Sequence, residues 1–180
     1  MSNRLPYVFA LLTAAGLAAA ADAPTVPAEI ALPADQKVDV TLKAHATGYQ
    51  FYECKADAAG KLGWALRAPI AILAADDGKP VAVHFGGVAV GLPPGPYWMA
   101  IKDGSRVHGG SPASSPNTGS IPLLRLQAVD TNGDGTFAHV SFVHRLATQG
   151  GVAPAEGCTA AGVRTLVPYT ADYWFYSPTK

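Results

Sequence analysis

The chain has little charge and no excess of either sign. Among 180 residues there are 13 Lys or Arg and 13 Asp or Glu, so the formal net charge is zero and only 14% of residues are charged. Proteins that bind nucleic acid show a basic patch or a high isoelectric point, and anionic membranes attract the same basic segments. The balance therefore argues against nucleic acid or an anionic membrane surface as a partner.

Long apolar runs are also scarce. The run Leu5–Ala20 follows Arg4 and ends in small residues, which is the pattern of a secretory signal peptide. It is shorter than the roughly 20 residues that a membrane span needs. We expect residues 1–21 to be a signal peptide, the mature protein to have no membrane span, and the protein to be exported to the periplasm or the cell exterior.

Cysteine is limited to Cys54 and Cys158, with no C-x-x-C motif. An even pair of cysteines in an exported protein usually forms a disulfide. A bridge here closes a loop of about 100 residues, which the chain-entropy model values at roughly 4–5 kcal/mol at most. We predict a structural Cys54–Cys158 disulfide.

Amphipathic helical patterns are missing after the signal segment, whereas 19 glycines and 15 prolines divide the chain into pieces. Residues 22–36 contain three prolines and read as an extended N-terminal arm. Residues 37–178 alternate apolar and polar side chains between turn-forming residues. We predict one all-β domain, a sandwich or barrel of about eight to ten short, mainly antiparallel strands.

Several strand boundaries follow from the same patterns. We expect a strand at Val38–Ala44 and another after Gly48, and two short strands within Trp64–Leu73 because Pro69 interrupts that run. Gly109–Ser120 is rich in Gly, Ser, Pro and Asn, which predicts a loop of about a dozen residues. Phe137–Leu146 is expected to form a strand.

One predicted hairpin concentrates polar chemistry. Trp98, Asp103, Ser105 and His108 surround the turn signal Asp103-Gly104. The hairpin lies between an apolar loop, Gly86–Gly95, and the Ser/Gly/Pro-rich segment after it. Because Asp-Gly-Ser is also what a tight turn requires, much of this composition has a structural explanation. We take these four residues, together with His84 and Arg145, as candidate ligand contacts.

Recognised catalytic and metal motifs are absent. There is no G-x-S-x-G elbow for a nucleophilic serine, and no H-x-H or H-E-x-x-H spacing for a metal. Asp130–Gly135 resembles the start of a calcium loop, but position twelve is Ser141 rather than a bidentate Glu. We predict a turn there and expect no metal, cofactor or catalytic set.

A resemblance covers nearly the whole mature chain, about residues 28–178. The segments that carry it are Gly48–Cys54, Trp64, His84-Phe85, Pro96–Trp98, Asp103–Ser105, Ile121–Leu124, Thr148–Pro154, Cys158 and Pro168–Tyr176. On these segments the chain resembles the DUF3455 family of exported bacterial and fungal proteins of unknown function. It implies a secreted, disulfide-bonded β protein and implies no activity.

Taken together, the sequence favours an exported β scaffold that binds a ligand or serves a structural role in the cell envelope or exterior. Its partner would be an unknown small molecule, a glycan such as a saccharide, or an envelope component. The alternative is an exported, hydrolase-like enzyme with a site near Trp98–His108, which requires His84, Asp103, Ser105 and His108 to converge. An assembly protein is a third possibility, and it requires an exposed apolar patch.

Overall fold

The computed structural model describes residues 23–179, and the predicted signal peptide lies outside them. Eight strands are present in chain order: β1 Val38–Ala56, β2 Leu62–Ala74, β3 Pro80–Gly86, β4 Pro96–Ala100, β5 Arg106–Ser115, β6 Leu123–Asn132, β7 Phe142–Gly150 and β8 Arg164–Pro178. Two single-turn 3₁₀ helices, Ala28–Ile30 and Gly87–Val90, are the only helical elements among these residues.

The strands form one closed antiparallel barrel in which each strand pairs with its neighbour in sequence. Closure comes from β1 and β8, which pair from Val38–Pro178 at one end to Glu53–Arg164 at the other. The all-β prediction is confirmed, with eight strands and with a barrel rather than a sandwich. Within residues 23–179, no helix is long and apolar enough to cross a membrane.

Side-chain alternation explains which face of each strand points inward. In β1 the even-numbered side chains from Ala44 to Cys54 turn into the barrel, while His45 and Thr47 remain exposed. At one end the interior is filled by a core that combines small and large side chains, among them Ala44, Ala46, Leu73, Ala82, Ala100, Val107, Phe137, Val140, Val143 and Phe175. The interior of this half of the barrel is therefore a packed hydrophobic core.

The strands run longer than the local patterns predicted. The separate strands expected before and after Gly48 are one strand, β1. Glycine suits this position because the backbones of β1 and β2 approach closely there, and a Cβ on Gly48 would collide with the Ile70 carbonyl oxygen. The break expected at Pro69 is wrong as well. β2 is continuous, and its register shifts beside this proline, opposite Phe51 and Tyr52.

Two other boundaries differ from prediction. The segment Gly109–Ser120 is only partly a loop, because β5 continues to Ser115 with a register shift between Gly110 and Ala113. The strand expected from Phe137 begins only at Phe142. Phe137 and Val140 instead belong to the connection between β6 and β7, and they are buried in the core.

The N-terminal arm packs against the outer surface of the barrel. Ile30 is completely buried, and its carbonyl oxygen accepts a hydrogen bond from Nε2 of His144 at 2.7 Å. Burial lowers the pKa of His144. In the neutral imidazole Nδ1 accepts from the Tyr176 hydroxyl at 2.9 Å. Arg125 donates to the Ala31 carbonyl at 2.6 Å. These contacts fix the arm across β6, β7 and β8.

The predicted disulfide is present. Cys54 at the end of β1 is bonded to Cys158 in the connection between β7 and β8, with 5.8 Å between their Cα atoms. The bridge spans 104 residues, so it restricts a large part of the unfolded chain. It also anchors the connection between β7 and β8, residues 151–163, to the barrel.

Replacing both cysteines by alanine is expected to lower the free energy of unfolding by about 2–5 kcal/mol, because the unfolded chain regains the entropy that the bridge removed. Urea unfolding of the oxidised native protein and the Cys54→Ala/Cys158→Ala variant measures the difference. An unchanged unfolding midpoint would contradict a stabilising role for the disulfide.

Candidate functional site

The two ends of the barrel differ in how their interior is filled. At the end that holds Phe137 and Val140, the core occupies the interior. At the opposite end there is a cavity of about 620 Å³. Its walls come from the strands and from the loops after β3 and β5, including residues 86–88, 94–96 and 121–122. The cavity is therefore inside the barrel and is bordered by connections at one end.

The cavity wall is mostly apolar. Leu66, Pro69, Leu124 and Leu126 contribute aliphatic surface, and Gly109 and Gly110 belong to the same wall. A smaller polar set lies on the same wall: Gln50, Tyr52, Arg67, His84, Ser114, Arg145 and Tyr173, with the indole of Trp98. An apolar wall with few polar groups is the usual composition of a small-molecule site.

His84 and Trp98 form a stacked pair across β3 and β4. Their ring centroids are 4.5 Å apart and the planes differ by 7°. Nδ1–H of His84 donates to the Tyr97 carbonyl at 2.8 Å, which leaves Nε2 as an acceptor. Burial lowers the pKa of His84 to about 3. The imidazole is therefore neutral at ordinary pH.

Three tyrosines line or underlie the polar side of the cavity. The Tyr52 hydroxyl donates to the Gly151 carbonyl at 2.8 Å, and the hydroxyls of Tyr169 and Tyr173 lie 3.5 Å apart. Burial raises the pKa of all three, and the positive charge of Arg145 opposes this rise. The hydroxyls are therefore uncharged hydrogen-bonding groups at neutral pH.

Arg145 is the charged group of the cavity that lacks a counter-ion. Its Nε and Nη2 atoms donate to the Pro122 carbonyl at 3.2 and 2.9 Å. No carboxylate lies within 4.0 Å of it among residues 23–179. By contrast Arg67, at the same cavity, pairs with Glu53 at 3.1 Å. Arg145 thus gives the cavity an uncompensated positive charge.

Two buried hydrogen-bond donors at the cavity have no acceptor. Nε2 of Gln50 and Nε1 of Trp98 are without a partner within the described part of the chain, and each side chain belongs to a residue only 1% exposed. Buried donors are nearly always paired in folded proteins, because an unpaired one costs about 1–3 kcal/mol. Both residues belong to the cavity wall.

The structure brings together only some of the predicted site residues. His84, Trp98 and Arg145 line the cavity. Asp103 and Ser105 lie in the turn between β4 and β5, at the opposite end of the barrel. His108 does not line the cavity: its ring stacks on Tyr97 with centroids 4.2 Å apart, and its Nε2 bonds to the Pro94 carbonyl at 3.2 Å. The six residues therefore do not form one site.

Asp103 and Ser105 form a hydrogen-bond network at the packed end of the barrel, opposite the cavity. One carboxylate oxygen of Asp103 accepts from the backbone N–H and hydroxyl of Ser105, and the other accepts from the N–H and hydroxyl of Thr136, at 3.0 and 2.7 Å. The Ser105 hydroxyl, itself buried, accepts from the N–H of Phe137 at 3.0 Å. The network ties two connections together beside the core.

Sequence reasoning missed Gln50, Tyr52 and Tyr173 as cavity residues. A signal for the first two was present, because alternation in β1 places Gln50, Tyr52 and Cys54 on one face. Tyr173 shares the inward face of β8 with Tyr169 and Phe175, in a run where every second residue is aromatic or small. What the sequence did not reveal was that this inward face borders an open cavity.

Comparison with known proteins identifies the family of the chain. A family model described as "Protein of unknown function (DUF3455)" matches residues 33–177. The chain belongs to the DUF3455 family. Neither the curated proteins nor the solved structures yield a match. The match to DUF3455 confirms the resemblance seen in the sequence, and it spans all eight strands of the barrel.

The structure also bears on the metal hypothesis. Within residues 23–179, no group of three or more His, Cys, Asp or Glu side chains is placed to hold a metal ion. Asp130, Thr131 and Asn132, at the start of the calcium-like segment, lie in β6. Gly133–Gly135 then turn away from the strand. The turn predicted for the whole segment is therefore wrong for its first three residues, which pair with β5.

A separate apolar row crosses the outer surface of the barrel. Leu166 of β8, Tyr49 of β1 and Ile70 and Ile72 of β2 are each about half exposed. Tyr49 is paired with Ile70 across the sheet. This row is the type of surface that an assembly function requires, and nothing in the described part of the chain covers it.

We predict that Asp103 makes stability depend on pH. The hydrogen bonds from Ser105 and Thr136 hold the pKa of its carboxyl well below the usual value. The unfolded carboxyl titrates near about pH 3.9, so the stabilisation is complete above that pH and is lost as pH falls through the lower, folded pKa. Asp103→Asn should therefore lower the melting temperature at pH 7. The difference in melting temperature between the native protein and this variant should become smaller below about pH 4.

Thermal unfolding between pH 7 and pH 2.5 tests this expectation. Asp134→Asn is the matched control, because it removes a carboxylate from the neighbouring turn that makes no hydrogen bond within residues 23–179. A gap between the native protein and Asp103→Asn that stays constant over the whole range would refute the role assigned to the carboxylate.

Proposed function

We propose that this member of the DUF3455 family is a binding protein that holds a small molecule inside its barrel. The single observation that carries the proposal is the cavity of about 620 Å³ at one end of an otherwise packed interior. Eight-stranded barrels are wide enough either to be filled by side chains or to hold one small ligand, and cavities for such ligands usually measure about 300–1,000 Å³.

The composition of the wall supports a ligand with a largely apolar body. Aliphatic and aromatic side chains cover most of the cavity, and Trp98, stacked on His84, is part of this wall. A saccharide carries a hydroxyl on nearly every carbon and would leave many of them without partners here. We therefore favour an apolar small molecule over the glycan considered from the sequence.

We also propose that the protein works outside the cytoplasm, in the periplasm or beyond the cell. The disulfide between Cys54 and Cys158 supports this location, because such bonds persist mainly in oxidising compartments. The signal-peptide pattern of residues 1–21 supports it independently.

The geometry favours binding over the hydrolase-like alternative. A nucleophilic serine needs a histidine within hydrogen-bond reach and an accessible position. The Ser105 hydroxyl is buried and is engaged with Asp103 and Phe137. His84 lies inside the barrel and His108 bonds to the Pro94 carbonyl. We therefore do not assign a catalytic role to these residues.

The test is a titration with N-phenyl-1-naphthylamine, an uncharged apolar fluorophore whose emission rises in apolar surroundings. The native protein should bind it at a single site. Leu124→Trp, which fills the cavity from β6, should weaken binding by about tenfold or more, because overpacking costs roughly 1–3 kcal/mol.

Leu123→Trp is the matched control, since alternation in β6 places residue 123 on the opposite face from Leu124 and outside the cavity wall. It should bind the fluorophore as the native protein does. No binding by the native protein, or equal binding by the native protein and Leu124→Trp, would overturn the proposal.

A further inference from the structure

We propose that the molecule held in the barrel carries a single carboxylate, which pairs with the guanidinium of Arg145, on an apolar body that fills the rest of the cavity. This inference rests on the proposed binding function and adds the chemical class of the ligand.

The charge of the cavity wall is unbalanced. No Asp or Glu belongs to the wall, whereas Arg67 and Arg145 both do. Glu53 compensates Arg67 at 3.1 Å. The partners of Arg145, the Pro122 carbonyl and the Tyr173 hydroxyl, are both uncharged. An anion that enters the cavity therefore gains a cationic partner that no carboxylate within residues 23–179 occupies.

Arg145 has N–H donors that the protein does not use. A guanidinium has five N–H donors and no acceptor. Hydrogen bonds to Pro122 use one N–H on Nε and one on Nη2, and the Tyr173 hydroxyl is a further partner. Two N–H groups are then left for a ligand. A guanidinium is planar, and a pair of its N–H groups matches the two oxygens of a carboxylate.

The polar groups near this arginine are donors or neutral. Arg145 is the cross-strand partner of Tyr173, and the Tyr173 ring packs against both Trp98 and His84. Trp98 and Gln50, on the same wall, each have an N–H without a partner within residues 23–179. The wall therefore combines positive charge and N–H donors with no acid group, which is complementary to an anionic ligand.

The remaining space is large and mostly apolar. A cavity of about 620 Å³ with aliphatic walls exceeds what a lone small anion occupies. A free inorganic anion would leave most of this apolar wall without contact. A molecule with one carboxylate and an apolar body pairs with the guanidinium and contacts the wall together.

The experiment compares decanoate with 1-decanol, which have the same chain length and differ in the head group. Each is used to displace N-phenyl-1-naphthylamine from the native protein at pH 7. Decanoate should bind about tenfold to a hundredfold more tightly than 1-decanol, as expected for hydrogen bonds to a charged group. Arg145→Gln should abolish this preference while 1-decanol binds as before.

Arg125→Gln is the matched control. It removes the same charge from the adjacent strand β6, where the side chain lies outside the cavity and contacts the Ala31 carbonyl. This variant should keep the preference for decanoate. Because the comparison of the two ligands on the native protein needs no variant, the test stands even if Arg145→Gln fails to fold.

The outcomes separate the two proposals. Equal affinity of the native protein for decanoate and 1-decanol, or a preference that survives in Arg145→Gln, overturns the carboxylate inference and leaves the binding function in place. Failure of the native protein to bind the fluorophore, decanoate and 1-decanol overturns the binding function, and the carboxylate inference with it.

Discussion

Pairing between the first and the last strand closes the sheet, and the other features of the protein depend on that closure. β1 and β8 are two of the longest strands and pair along nearly their whole length. A closed barrel has no free edge at which another strand could add, and it separates an interior from solvent on all sides. Only because the sheet closes do the inward side chains of β8, such as Tyr173 and Phe175, face those of β3, β4 and β7.

Closure alone does not decide whether the interior is filled. At one end, alanines on β1, β3 and β4 face large rings such as Phe137 and Phe175, and the difference in size lets them fill the barrel. At the other end the inward positions include the polar residues Gln50 and Arg145, and the interior contains the cavity. A packed aliphatic core there would be more stable than unpaired donors. Departures of this kind from stability rules are expected at functional sites.

The sequence revealed the fold class because the relevant signals are local. Alternation in β1 and the scarcity of helical patterns predicted an all-β domain, and the two cysteines predicted the disulfide. Strand ends were predicted less well, because Gly48 and Pro69 act through neighbouring strands: the glycine permits close approach, and the proline lies beside a register shift. Both residues normally indicate breaks when only the local sequence is considered.

The candidate site was predictable only in part, for a similar reason. Turn composition led to the prediction of Asp103 and Ser105 as ligand contacts, but their hydrogen bonds stabilise the packed end of the barrel. The cavity instead combines Gln50, His84, Trp98 and Arg145 from four different strands. Their proximity depends on the pairing order and on closure, and neither is encoded in local spacing. The open volume depends on the sizes of many inward side chains together.

The most direct test of ligand binding inside the barrel uses the three tryptophan side chains as reporters. Trp98 lines the cavity, whereas the indole N–H of Trp64 bonds to the Glu156 carbonyl and Trp174 lies on the outer side near Lys43. In a ¹H–¹⁵N correlation spectrum recorded during titration with decanoate, the indole resonance of Trp98 should shift while those of Trp64 and Trp174 stay in place. An unmoved Trp98 resonance, or shifts confined to Trp64 and Trp174, would contradict an occupied barrel interior.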